Sequence, residues 1–413
     1  MTSRERVAKA VNFEEPDRVP IDLGSMGATS ISAAAYDQLK RRMGIYTPTK
    51  THAPMMILAQ LELTVIERLN IDVLPLDALS ATWADKDASE GIEKNLFCGT
   101  TVHFPPGTNI SEEPDGSWVL NSKTGEAFAR MPKDGYYFDF IRSTMGGTRI
   151  DPKAFQPRTF VPDEELDQIS ARAKFLFNNT DKAILGWGAS LSLVGLSALL
   201  SDNITQGSLD QWLYMLVAEK ETANEMMGRY VDAVISCLEQ YHQAVGSCCI
   251  AWGVGSDDAG TQRGELLSPD LFAEMIKSHY ARVCDWVHAN TKWKTFLHSC
   301  GSIHNYIPHW IESGIDILNP VQISATNMEP ERLKRDFGGK IVFWGGGCDT
   351  QKVLPLGTPD EVREHVRHNM SVFAPGGGFV FTQVHNIQQN VPTENIEAML
   401  NAAYEFGGSF HTS

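Results

Sequence analysis

Lys294-Thr295-Phe296-Leu297-His298-Ser299-Cys300-Gly301-Ser302 runs from apolar residues straight into a histidine and a cysteine two positions apart, and then a glycine. If the run is a strand, its side chains alternate, so His298 and Cys300 project to the same side. Imidazole and thiolate are the ligands zinc binds most readily, and a strand end delivers both to one point. The plain alternative is a buried histidine beside a thiol that merely packs, since free cysteine is among the most buried residue types. The rest of the chain decides between them.

Similar apolar stretches recur at 19–24, 71–76, 183–188, 248–253, 295–298, 315–320, 341–345 and 379–382, most of them separated by enough residues for a helix. Continuous apolar strands alternating with helices imply a parallel sheet, and about eight such units predict a (β/α)8 TIM barrel. An open doubly wound sheet is the runner-up. No G-x-G-x-x-G follows a strand, and Gly345-Gly346-Gly347 lacks the phosphate-loop lysine, so nothing supports a nucleotide site.

Two segments interrupt the alternation. At the start, Thr2 and Glu5 form a capping box ahead of an apolar stripe at Val7, Ala8, Ala10 and Val11. Helical pattern returns around 36–40 and over 58–69. From 83 to 149 turn signals come at short intervals, among them Pro105-Pro106-Gly107 and Glu113-Pro114-Asp115-Gly116. Short β-like pieces lie between them, which predicts a small β-rich insertion within one barrel domain spanning 1–413, packed as a cap beside the site.

Composition narrows the partners. A formal net charge of −16 disfavours nucleic acid and anionic membrane surfaces. The seven cysteines have no framework spacing, which suggests a reducing cytoplasm. The opening residues show no apolar signal segment. The longest uncharged run, 184–200, is broken by glycines and serines and reads as a strand entering a buried helix, not a membrane span.

In a barrel, residues just past the strand ends converge on one mouth. Those positions hold Trp187; Trp252, Asp257 and Asp258; His298 and Cys300; Asn319 and Gln322; Cys348 and Asp349; and Gln383, His385 and Asn386. Several strands thus offer nitrogen, sulfur or carboxylate ligands together, which favours zinc with His298 and Cys300 at its core. Cys348 is the favoured third ligand, with His385 left as a fourth ligand or a proton donor. A small residue under a glycine turn is the competing reading of Cys348. Asp257 and Asp258 are candidates for acid–base work or plain solvated acids. Trp187, Trp252, Trp344 and Phe381 are candidate walls of an aromatic pocket, with Asn319, Gln322, Gln383 and Asn386 as polar contacts. His304, His309, His365 and His368 fall in helical pattern and read as surface.

Taken in order, Pro16-Asp17-Arg18-Val19-Pro20, Gly255-Ser256-Asp257-Asp258-Ala259-Gly260, His298-Ser299-Cys300-Gly301, Gly345-Gly346-Gly347-Cys348-Asp349 and Val384-His385-Asn386 resemble the uroporphyrinogen decarboxylase superfamily over nearly the whole chain. The resemblance implies a (β/α)8 barrel with its site at the C-terminal mouth. True uroporphyrinogen decarboxylases carry a Gln-Ala-Gly-Arg type segment after the first strand. Here that segment is Asp22-Leu23-Gly24-Ser25-Met26-Gly27, without arginine, so a substrate with eight carboxylates would be poorly held. The chain is more similar to the branch of zinc-dependent methyltransferases that work with corrinoid proteins. That branch uses a His-x-Cys pair after the fifth strand and a further cysteine near the eighth. His298 and Cys300 match; His385 stands in place of the last cysteine, and Cys348 could compensate.

The resemblance implies methyl transfer between a small methylated substrate and cobalamin. With more imidazole and less thiolate the metal becomes a stronger Lewis acid, which suits an ether oxygen such as that of an aryl methyl ether. His385 or Asp258 would manage the proton. No Asp-x-His-x-x-Gly segment is present, so the cobalamin would arrive on a separate corrinoid protein. The rivals are a decarboxylase or lyase of a small acid, a methylcobalamin:thiol methyltransferase, and a barrel that only binds.

Overall fold

A computed structural model describes residues 1–141, 151–194 and 209–410. Seven parallel strands form one curled sheet: Val73–Leu76, Ala183–Leu191, Ala251–Ser256, Lys294–His298, Ile317–Asn319, Val342–Trp344 and Phe379–Val380. The eighth stave is the extended segment 20–22. Ile21 bridges Phe381 in parallel, Phe381 N donates to Pro20 O (2.8 Å), and Asp72 N donates to Ile21 O (2.8 Å), which closes the ring. The molecule is a (β/α)8 barrel. Each observed strand falls within or beside a stretch expected to be one, the main offset being a start at Ala251, because Gly246–Cys248 forms a helical turn.

Alternation sorts the side chains. Leu185, Ala251, Phe296, Ile317, Val342, Trp344 and Val380 fill the barrel, while Ile184, Trp252, Leu297, Leu318 and Phe343 pack under the surrounding helices. The helix Ser3–Ala10 plugs the N-terminal end, contributing Val7 and Ala10, with Val11 just beyond it. Its capping box is present, with Thr2 Oγ1 accepting from Glu5 N and Thr2 N donating to Glu5 Oε2.

Charge pins this end. Asp72, wholly buried, accepts from Arg6 Nη1 (2.8 Å), Arg18 Nη1 (2.7 Å) and Ile21 N (2.8 Å), tying the plug helix to the closing stave. That explains why Asp17-Arg18 sits just ahead of the first stave.

The β-rich insertion is two small sheets. Trp118–Asn121 and Ala127–Met131 sit at the centre of one; the other pairs Thr101–Phe104 with Thr49–Ala53 in parallel. Residues 49–59, which precede the expected insertion, therefore belong to its sheet. The helix expected over 58–69 is shorter: Leu58–Ala59 is a strand and the helix is Leu63–Arg68. Residues 142–150 of the insertion and the end of the 184–200 run lie outside the described residues. No helix among the described residues is long and apolar enough to cross a membrane.

Two predictions concern stability. Asp72→Ala strips Arg18 of its carboxylate and leaves Arg6 with Asp17 alone (2.7 Å), and should cost about 3–5 kcal/mol in urea unfolding; a loss well under 1 kcal/mol would show that the network is not what closes the barrel. Below the strand Lys294–His298, His288 Nε2 meets Asp316 Oδ2 at 2.8 Å. The hydrogen bond to Asp316 raises the imidazole above its ordinary value, against partial burial. A raised histidine stabilises the fold below its unfolded pKa and loses that contribution as pH rises through the folded one. The stability gap between wild type and His288→Ala should therefore be widest in mild acid and shrink in mild alkali; a pH-independent gap would contradict this.

Candidate metal centre

His298 is the last residue of its strand, facing inward one layer above Phe296. The chain then turns sharply at Cys300-Gly301. Gly301 has φ +92°, and a Cβ there would lie 2.4 Å from the Gly260 carbonyl carbon, so only glycine lets the two loops touch. The turn is held from both sides: Cys300 N donates to Asp258 Oδ1 (3.1 Å) and Gly301 N to Gln322 Oε1 (2.8 Å).

Across the mouth, beyond the strand Phe379–Val380, stands His385. His298, Cys300 and His385 each bring one ligand atom to within 4.8 Å of the other two. Among the described residues, no other group of three His, Cys, Asp or Glu side chains meets so closely.

The ring orientations follow from their neighbours. Asn319 Nδ2 donates to the Trp344 carbonyl (2.8 Å), which can only accept, so Asn319 Oδ1 must face His298 Nδ1 (2.6 Å). Nδ1 therefore carries a proton, and Nε2, 3.3 Å from Cys300 Sγ, is the atom left to offer a lone pair to a metal. His385 is held alike: its Nδ1 lies 2.6 Å from Asn386 Oδ1, which also accepts from Gln388 Nε2 (3.1 Å). Both imidazoles are turned as ligands are turned. The donor set fits a tetrahedral zinc site with one position left open.

Without a metal, the surroundings favour a second proton on the His298 ring at Nε2, which a bound cation would displace. Burial resists charge on the Cys300 thiol, but the adjacent His298 imidazole and a hydrogen bond from His385 bring it below its usual value. Burial likewise opposes the imidazolium of His298, yet the Cys300 sulfur and Asp258 push it well above the ordinary range. Desolvation would raise Asp258, and His298, 3.5 Å away, overrides it and holds the carboxyl ionised.

The other sequence candidates separate clearly. Cys348 is not part of the cluster; it is fully buried, and desolvation drives its thiol well above the usual value, the opposite of what a ligand needs. Asp257 is buried and accepts from Leu193 N (2.8 Å), Val194 N (2.9 Å) and Tyr280 Oη (2.9 Å), so it anchors a loop and cannot carry a proton at the mouth. Trp252 points outward and stacks on Trp293 at 4.5 Å, because its strand position alternates away from the interior. Phe381 also packs on that outer side. Trp344 faces inward but is fully buried, its indole donating to Asp22 Oδ2 (2.8 Å). Gln383 is buried and donates to Thr29 O (2.8 Å). Gln322 and Asn386 hold ligand segments, and Trp187 is half-buried at the mouth against Phe296, 6.0 Å between ring centres. Of the four histidines expected at the surface, His368 is exposed, while His304, His309 and His365 are half-buried.

A parallel barrel with a His–Cys–His cluster at its C-terminal mouth is thus the class of protein. The chain belongs to the uroporphyrinogen decarboxylase (URO-D) family, whose family model matches residues 164–406. A uroporphyrinogen decarboxylase of Pseudoalteromonas translucida (strain TAC 125) is 32% identical over 210 residues, 48% of this chain and 52% of that one. The chain thus spans about half the length of that relative. Another, of Aeromonas salmonicida (strain A449), is 20% identical over 263 residues, 60% of this chain and 67% of that one. In structure the chain is similar to a methyltransferase from Methanosarcina mazei at 15% identity and a TM-score of 0.52, covering 98% of this chain and 99% of that one. That likeness speaks to fold.

Asn319→Leu should weaken zinc binding roughly 10–100-fold by freeing the His298 ring, while Asn319→Asp, which keeps an acceptor at Nδ1 but sets an oxygen against the Trp344 carbonyl, should recover only part of that loss. Competition against a chelator measures both; equal affinity in wild type and Asn319→Leu would remove the amide from the site.

Proposed function

We propose that the protein is a zinc-dependent methyltransferase, moving a methyl group between a small methylated substrate and the cobalamin of a separate corrinoid protein. The observation that carries this reading is the His298–Cys300–His385 cluster, with both rings turned to offer Nε2. A decarboxylation that uses no metal gives such a cluster no task. The segment after the first stave also lacks the arginines that a polycarboxylate would require.

Zinc held by one thiolate and two imidazoles would supply a Lewis acid for the oxygen of a methyl ether. The chain's own groups do the rest. His385, as a ligand, is not free to carry the proton, and Asp258, held ionised beside His298 and with 64% of its side chain exposed, accepts hydrogen bonds and orients the substrate. Below the cluster, Trp187 meets the fully buried Phe296 edge to face at 6.0 Å, so Trp187, half-buried at the mouth, is the ring left to face an aryl methyl ether. Cytoplasmic placement follows the cysteine pattern and belongs to the same proposal.

The test is zinc-loaded protein with reduced cobalamin and an aryl methyl ether, followed by cobalamin absorbance and phenol release. Methylated cobalamin and phenol should form in equal amounts, with Cys300→Ala slower by about a hundredfold or more. Carbon dioxide released from a small acid, unaffected by Cys300→Ala or a chelator, would favour the decarboxylase reading. Turnover only with an added thiol as acceptor would favour the methylcobalamin:thiol reaction.

A further inference from the structure

Beside the mouth lies a cavity of about 460 Å³, bounded by the strand residues Trp187–Ser190, the helices Asp163–Asn179 and Lys220–Val245, and Asp77–Leu79. Its size falls within the roughly 300–1,000 Å³ of small-molecule sites. Nothing in the sequence marked it, because its walls come from helix faces that read as ordinary packing.

Four aromatic rings line it: Phe155, Trp187, Tyr230 and Tyr241. Phe155 and Tyr230 meet edge to face at 6.2 Å and form one corner. Trp187 is the wall shared with the barrel interior, where it touches Phe296, two residues before His298 on the same inward face. The cavity therefore lies along the strand Ala183–Leu191, two strands from the one that carries His298.

Its charges decide what it admits. Asp77 Oδ2 is 3.2 Å from His52 Nε2, and its other oxygen caps Ser80 N at 2.8 Å. Burial lowers the His52 imidazole, but Asp77 outweighs that and favours the cation. Glu165 accepts from Tyr241 Oη at 2.7 Å and lies 3.5 Å from Arg158 Nη2. Each lining charge has an opposite partner, so a charged guest would gain no counter-ion and would lose its hydration. Aromatic walls with engaged polar edges suit a flat, uncharged ring that can also hydrogen-bond.

We infer that this cavity binds a neutral aromatic ring of the methoxyphenol class and excludes aromatic carboxylates and aryl ammonium cations. The inference rests on the proposed methyl transfer only for what happens to the ring afterwards; binding itself needs no metal.

Isothermal titration tests it with 2-methoxyphenol, 3-methoxybenzoate and benzyltrimethylammonium as probes. The phenol should bind wild type and Cys300→Ala within about twofold of each other, and the two charged probes roughly tenfold or more weaker. Val234→Trp, which fills the cavity from the helix Lys220–Val245, should weaken phenol binding roughly tenfold or more. Leu79→Trp fills it from the opposite wall and serves if Val234→Trp does not fold, as judged by circular dichroism. Arg158→Met leaves Glu165 uncompensated and should improve binding of benzyltrimethylammonium. No binding of 2-methoxyphenol, equal binding of the charged probes, an Arg158→Met variant with unchanged selectivity, or indifference to the filling substitutions would overturn the inference. Ring binding that survives in a protein unable to transfer methyl groups would uphold the cavity and sink only the reaction.

Discussion

The hydrogen bond between His298 Nδ1 and Asn319 Oδ1, 2.6 Å long and buried, is the constraint on which the site depends. It joins adjacent strands, whose register sets His298 opposite Asn319. Asn319 is fixed by the Trp344 carbonyl of the next strand, and the Trp344 indole is in turn fixed by Asp22 on the closing stave. Ring orientation at the mouth is therefore inherited from closure of the barrel. A neutral amide in this position sets the tautomer without adding negative charge, which would leave the charge of a bound metal less offset than a carboxylate would.

Eight staves were legible because a parallel barrel strand is covered on both faces and reads as an unbroken apolar run. The closing stave is the extreme case: only 20–22 pair, yet Val19, Ile21 and Leu23 are all buried. The small sheet that borrows residues 49–59 was not legible, since a two-residue strand such as Leu58–Ala59 has no period to read and Thr101–Phe104, the partner of Thr49–Ala53, lies far along the chain.

Position at a strand end was a good guide to which loops reach the mouth and a poor one to where each side chain points. Alternation puts Trp252 outward between inward Ala251 and Gly253, a distinction a strand begun three residues too early obscures. Past the strand end alternation no longer applies. The Gly345–Gly346 turn, at φ +140° and +71°, carries Cys348 into the core, whereas the Cys300–Gly301 turn keeps its sulfur at the mouth. Two cysteines that look equivalent in sequence thus have thiols shifted in opposite directions. The same blindness to direction made Asp257 look like an acid–base group and Gln383 and Asn319 like substrate contacts when each is committed to the protein itself.

The central claim is a metal site made by His298, Cys300 and His385, and metal content per chain tests it most directly. Wild type and Cys348→Ala should each hold about one zinc after loading and desalting, while Cys300→Ala and His385→Ala should lose it or retain it only weakly. Zinc lost from Cys348→Ala but kept by His385→Ala, or a wild type that holds none, would contradict the account.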